Sequence, residues 1–314
     1  MKISLKVFIL IAFFLSTTSL LSQNIVTEKD TTYWIKKNMV GFDLNQISFV
    51  NWNAGGNTSI SGLAKGNFVR KYERGHTKWL SELIVKYGVN KQDGVELRKT
   101  DDELQFNSTF GHRTDSLSNW FYSAKFNFKT QFSNGYAYPN TDLAISKPLA
   151  PAYTFLGVGA EYANKEEHYI VYLSPLTLKN TMVLDSRLAN QGAFGVRKAR
   201  YDEEGNMISK GEQFRIEAGI LITAQHKEEV WKNITMENRL SLYSDYLNNF
   251  GNIDIDWQLS LNLIVNEYVR ANIGVHLIYD DDIKAKKDIN GVQTEIGPRI
   301  QLKQMIGVGL VYNF

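Results

Sequence analysis

The five histidines of this chain, His76, His112, His168, His226 and His276, are its side chains best suited to proton transfer or metal ligation near neutral pH. No two share a ligand-like spacing, and no cysteine is present to complete a zinc set. A Ser–His hydrolase would carry a nucleophile motif, and G-x-S-x-G is absent. Four of the histidines fall at predicted strand ends and only His276 faces a polar interior, so no catalytic residue is assigned. Two acidic clusters invite a cation. One is Arg98-Lys99-Thr100-Asp101-Asp102-Glu103. The other, Asp280-Asp281-Asp282, lacks the Gly and Glu positions of an EF-hand loop. Solvated rim charges or ion pairs are the expectation for both, with no metal and no cofactor.

The remaining charges are informative because of the elements that must position them. In 120–132, Trp120, Tyr122, Ala124, Phe126, Phe128 and Phe132 share one face of a strand, and Ser123, Lys125, Asn127, Lys129 and Gln131 share the other. In 253–263, Ile253, Ile255, Trp257, Leu259, Leu261 and Leu263 oppose Asp254, Asp256, Gln258, Ser260 and Asn262. In 269–279, Val269, Ala271, Ile273, Val275, Leu277 and Tyr279 oppose Arg270, Asn272, Gly274 and His276. The same pattern predicts strands over 39–48, 58–72, 78–90, 98–112, 152–163, 167–174, 212–225, 231–245 and 300–314. Pro175 has no N–H to give a ladder, so the seventh strand is expected to end there.

Two packed sheets would also alternate. The connections separate the possibilities. Five are short (73–77, 114–118, 164–166, 226–230, 265–266), and those between them are mostly longer, the longest being 175–211. Alternating tight turns and long loops, an even strand count and no stretch apolar enough for a helical span together predict an all-β fold, one antiparallel transmembrane β-barrel of about twelve strands. A soluble secreted β-sandwich is the rival fold.

The N-terminus supplies an address. Lys2 and Lys6 precede an apolar run from Val7 to Leu15, with small and polar residues following through Ser22. This reads as a signal peptide over 1–22, cleaved near Ser22–Gln23. A lead over 23–38 follows, with the barrel over 39–314 and both termini in the periplasm of a Gram-negative bacterium. Without the leader's two lysines the chain balances, 35 − 2 = 33 bases against 33 acids. No basic excess argues for nucleic acid.

The inward registers hold Asp43, Glu82, Glu103, Glu161, Glu217, Glu237, Asp254 and Asp256 against Lys65, Lys86, Lys125, Lys129, Arg215, Arg239, Arg270 and Lys303. A selective pore would show one sign in excess. This neutral lining predicts ion pairing across a narrow or plugged lumen. Trp52, Gly55 and Gly56 mark the first external loop, and the loop 175–211 is the candidate surface for a protein partner.

The last strand ends Gly309-Leu310-Val311-Tyr312-Asn313-Phe314, and it resembles the closing strand of bacterial outer-membrane barrels, whose terminal aromatic residue serves as an assembly signal. That resemblance implies that Tyr312 and Phe314 engage outer-membrane lipid and the assembly machinery. Further residues carry a wider likeness. They are Trp52 with Gly55-Gly56, Arg98-Lys99-Thr100-Asp101-Asp102, Thr130-Gln131-Phe132 with Gly135-Tyr136, Ala150-Pro151-Ala152-Tyr153, Leu173-Ser174-Pro175-Leu176-Thr177 and Gly192-Ala193-Phe194-Gly195. Together they resemble a family of uncharacterised Bacteroidetes outer-membrane proteins, a domain of unknown function. The likeness implies family positions at Trp52, Gly55, Gly56, Arg98, Lys99, Asp101, Asp102, Ser174 and Pro175. It implies no activity. The expected role is a narrow channel for small solutes or a structural part of an outer-membrane assembly, with a lipid-modifying barrel enzyme as the alternative.

Overall fold

The computed structural model describes residues 33–47, 58–164, 166–248, 250–289 and 292–314. The leader, most of the lead segment and the loop carrying Trp52, Gly55 and Gly56 lie outside the described residues. Twelve long strands follow one another: β1 Trp34–Ile47, β2 Ser59–Arg74, β3 Thr77–Gln92, β4 Arg98–His112, β5 Trp120–Thr130, β6 Ala152–Ala163, β7 Tyr169–Met182, β8 Phe214–Trp231, β9 Ile234–Asp245, β10 Asp254–Ile264, β11 Val269–Tyr279 and β12 Gln301–Asn313. Each pairs antiparallel with its neighbours in sequence, and β12 returns to β1 to close the barrel. No helix among the described residues is long and apolar enough to cross a membrane.

The closed ring excludes the sandwich, and the distribution of apolar side chains explains the ring. Phe42, Leu44, Leu156, Val158, Leu176, Leu178, Ile306 and Leu310 all point outward and are exposed, Ile306 by 76%. A water-soluble protein does not leave a band of that extent bare. The inward positions are polar, because period-2 alternation sends every second residue to the other face. Aromatic side chains collect near the short-turn end. Trp34 lies 5.3 Å from Tyr72 and 6.0 Å from Trp79, Trp120 lies 5.3 Å from Tyr162, and Tyr312 lies 5.6 Å from Phe314.

Three boundaries differ from the pattern-based expectation. β1 begins at Trp34, inside the expected lead, because its lower half pairs with β2 from Trp34↔Tyr72 upward. β8 runs on to Trp231, and the tight turn falls at Lys232-Asn233, where Asn233 takes the left-handed conformation. Most consequentially, β7 does not stop at Pro175 but continues to Met182. Pro175 sits at a bulge: the ladder passes from Val158↔Leu176 to Ala160↔Leu173 on one side and from Gly219↔Thr177 to Leu221↔Ser174 on the other. No partner there needs the missing N–H. Gly159 lets the wall close around the bulge, since a Cβ there would lie 2.0 Å from the Leu173 carbonyl oxygen.

At the opposite end the long connections fold on one another. Residues 131–151 carry a small hairpin, Gly135–Tyr136 with Ala144–Ser146. Residues 183–213 carry the helix Ser186–Asn190 and a second hairpin, Arg200–Tyr201 with Met207–Ser209, whose tip contains Gly205-Asn206. Ala150, Val183, Leu188, Ala189 and Val196 form a compact apolar cluster that joins the two loops into a cap.

The barrel closes at its foot through Asn38 and Phe314, which exchange backbone hydrogen bonds of 3.1 Å, and through the pairs Met39↔Asn313 and Val40↔Tyr312. Deleting Tyr312–Phe314 removes these contacts. The truncated chain is expected to lose the heat-modifiable gel migration of a closed barrel. A truncated chain that still shows it would disprove the closing role of this segment.

Candidate functional site

The site is the barrel interior. Every inward charge named above lies in the inward register, and the structure brings most of them together in three tiers.

The tier nearest the short turns holds Lys78 against Glu161 at 2.6 Å, both buried, with the Lys78 Nζ 3.9 Å from the Phe121 ring centre. Beside it Lys71 of β2 reaches Glu167, in the turn after β6, at 2.9 Å. These contacts bridge non-neighbouring strands, so they draw the mouth inward.

The middle tier is centred on Glu82 and Arg239. Their strands, β3 and β9, lie six places apart in a ring of twelve and are diametrically opposite. Yet Arg239 Nη1 stands 3.5 Å from Glu82 Oε2. A circular barrel of twelve strands, with ladder spacing near 4.8 Å and ordinary tilt, would be roughly 24 Å across between backbones. Two extended side chains do not bridge that distance, so the wall is flattened across this pair. Glu82 also accepts from Asn67 Nδ2 at 2.8 Å and Asn107 Nδ2 at 3.2 Å, and Arg239 donates to Glu237. Lys125 donates to Thr223 at 3.1 Å, joining β5 to β8. His276 Nε2 lies 2.9 Å from Asp256 and 3.4 Å from Gln258 Nε2. Lys65 pairs with Asp43 at 2.8 Å, and Glu103 takes Lys86 at 3.2 Å and Lys129 at 3.8 Å.

The third tier lies under the cap. Lys179 Nζ contacts Asp254 at 2.7 Å and Glu217 and Asp280 at 3.7 Å. Arg215 reaches Asp282 at 2.6 Å and donates to the Gly195 carbonyl at 3.1 Å. Thus the acidic run 280–282 turns in over the lumen and pairs with wall cations. Asp254, Asp280 and Asp281 are close enough to share a cation. The Lys179 ammonium already holds two of them, and Asn252 donates to Asp281 at 2.7 Å.

The rim residues split by role. Lys303 of β12 crosses to Asp101 of β4 at 2.7 Å. Asp102 accepts from Lys99 at 2.8 Å and from the backbone N–H groups of Phe132 and Ser133 at 2.7 and 2.9 Å, which fastens the 131–151 connection to the wall. The Arg98 guanidinium stands 5.3 Å from the Tyr138 ring centre. Ser174 Oγ donates within the Pro175 bulge, with the Val158 and Leu176 carbonyls each 2.9 Å away. Arg270 pairs with no carboxylate among the described residues. Sequence reasoning missed Lys78 and Lys179. Lys179 was hidden by ending β7 early, although Thr177, Lys179 and Thr181 alternate with Leu176 and Leu178 in plain view.

An apolar exterior around a polar, ion-paired interior defines the class: a β-barrel of the transmembrane type. Residues 44–136 match a family described as a protein of unknown function (DUF3078). No curated protein matches. Among solved structures the chain is similar to an outer-membrane channel from Pseudomonas putida F1, at 9% identity over 92% of this chain and 100% of that one, TM-score 0.39. It is also similar to the NanC porin, at 10% identity over 87% and 98%, TM-score 0.37. A third likeness is to an outer-membrane phospholipase from Salmonella typhi, at 12% identity over 90% and 93%, TM-score 0.34.

The cap has its own anchor. Asp185 caps the helix Ser186–Asn190 by accepting from the Leu188 N–H at 2.9 Å, and it takes Lys147 at 2.6 Å. The Lys147 hydrogen bond foremost, then the backbone donor, hold the Asp185 carboxyl below the ordinary aspartate range. Its contribution is therefore complete above the unfolded aspartate pKa, about 3.9, and is lost as pH falls through the lower folded value. Asp185→Ala should cost the cap about 1 kcal/mol. Amide exchange over 183–199 should rise at neutral pH in that variant, and in the wild type only in acid. Equal exchange in both proteins at neutral pH would refute the assignment.

Proposed function

We propose that this protein is an outer-membrane barrel that admits small solutes at most, its lumen narrowed by side-chain braces. The observation that carries this reading is the Glu82–Arg239 contact between opposite strands. A wide aqueous pore keeps its walls apart, whereas this one is drawn together at mid-height, pinched below by Lys71–Glu167 and covered above by the docked 280–282 run. The outward apolar band and the leader over 1–22 support an outer-membrane location, with the short turns and both termini on the periplasmic side. The motif likeness favours a Bacteroidetes source. Tyr312 and Phe314 would engage the assembly machinery.

No catalytic role is proposed. Among the described residues His276 bonds to Asp256 and Gln258 but to no serine or threonine hydroxyl, which does not favour a hydrolase. A structural role in a larger assembly has one observation behind it. Tyr201, Met207 and Ile208 in the 183–213 loop are exposed apolar side chains at the long-loop end, beyond the lipid-facing band. A partner that co-purifies in mild detergent, and is lost when these three residues are changed to serine, would support that second role.

Planar-bilayer recording tests the main reading. The wild type should show a low conductance. The charge-neutral double variant Glu82→Ala/Arg239→Ala should show a larger one, because the flattened wall is released. A large, stable wild-type conductance, or no change in the double variant, would sink the proposal.

A further inference from the structure

Closure is uneven around the barrel. β1 pairs with β2 along its whole length, from Trp34↔Tyr72 to Ile47↔Ser59. β12 pairs with β11 from Val269↔Leu310 to Ile278↔Gln301. Between β1 and β12 the ladder runs only from Met39↔Asn313 to Asp43↔Gly309. Extending that register would set Leu44 opposite Val308, Asn45 opposite Gly307 and Gln46 opposite Ile306. Among the described residues none of these pairs forms. Among the described residues the seam is zipped from Met39 to Asp43 and open from Leu44 to Ile47.

The opening lies within the apolar band, since Leu44, Ile306 and Val308 point outward and are exposed beside it. Hydrocarbon does not tolerate unpaired N–H and C=O groups unless they line a water-filled space. The edges of 44–47 and 305–308, unpaired with each other, must therefore be wetted from the lumen. The side chains there fit that demand. Asn45, Gln301 and Lys303 line the inner side, Lys303 being held by Asp101 at 2.7 Å. Gln46 and Gln304 place amides on the outer side and are exposed. The gap is a wedge, because at its apex Gly307 stays near Asp43, a Cβ there lying 3.6 Å from Asp43 Cβ. An inserted β-strand would need β1 and β12 about 9.6 Å apart, two ladder spacings, immediately above a closed pair. A wedge with a polar inner side, and an outer side of Leu44, Leu302, Ile306 and Val308 interrupted only by Gln46 and Gln304, instead matches a molecule with a polar head and an acyl chain.

We propose that the β1–β12 seam between 44–47 and 305–308 is a lateral portal. Through it an acyl-chain amphiphile moves between the barrel interior and the surrounding lipid, head inside and chain outside. This rests on the membrane reading above, and the experiment separates the two. Photoreactive side chains are placed one at a time at Met305 (inward, beside the gap), Ser260 (inward, on the closed wall) and Leu261 (outward, on the closed wall). Each protein is reconstituted in vesicles of phosphatidylethanolamine and lipid A, and each must show heat-modifiable migration.

Lipid adducts are expected at Met305 and Leu261 and not at Ser260. Mass spectrometry of the Met305 adduct tells phospholipid from lipid A. Oxidising a Leu44→Cys/Val308→Cys pair, or equally Asn45→Cys/Gly307→Cys, should abolish the Met305 adduct and leave the Leu261 adduct unchanged. Label at Leu261 without label at Met305 overturns the portal, as does a Met305 adduct with protein or one that survives the disulfide. No label at Leu261 overturns the membrane reading and the portal with it.

Discussion

A strand that crosses hydrocarbon has no partner for its amide groups except another strand, and this requirement governs the rest of the molecule. It compels the sheet to return on itself, so the last strand must find the first, as β12 does through Phe314 and Asn38. It separates the two faces of every strand. One must be apolar because it meets lipid, and the other is free to be polar because it does not. It also explains how Pro175 is tolerated. A residue without an N–H stays in the wall only at a position where neither neighbouring strand calls for a donor, and the bulges toward β6 and β8 create that position.

The polar face carries its own cost. Charges withdrawn from bulk water are expensive unless each finds a counter-charge and its remaining lone pairs find donors. Glu82 meets that condition with two asparagine amides and Arg239, and Glu161 meets it with Lys78. Satisfying these groups requires contact between strands that the backbone ladder keeps far apart. Electrostatics therefore sets the cross-section, and the barrel is narrower than its strand number alone would make it.

Most of the architecture was legible because lipid on one side and water on the other make period-2 alternation unusually clean. Trp257 and Asp256 could hardly exchange faces. The inward charges were legible for the same reason, but their partners were not. That Glu82 meets Arg239 depends on shear and flattening, which the alternation of one strand does not encode. Pro175 reads in the sequence as the end of the seventh strand, and that reading hides Lys179, which lies beyond it in the same strand. The long-loop cap was also invisible, since Ala150, Val183, Leu188, Ala189 and Val196 have no periodic signature and meet only once two loops are folded.

Lys179 has a consequence for how this barrel meets its surroundings. Carboxylates gathered at a barrel mouth repel one another unless cations lie beside them. Here the neutralising charge is covalently part of the wall, because Lys179 and Arg215 reach Asp254, Asp280 and Asp282 from within. The mouth thus carries part of its own counter-charge, two wall cations set against the carboxylates of Asp254, Asp280 and Asp282, and relies less on external ions to hold those groups together.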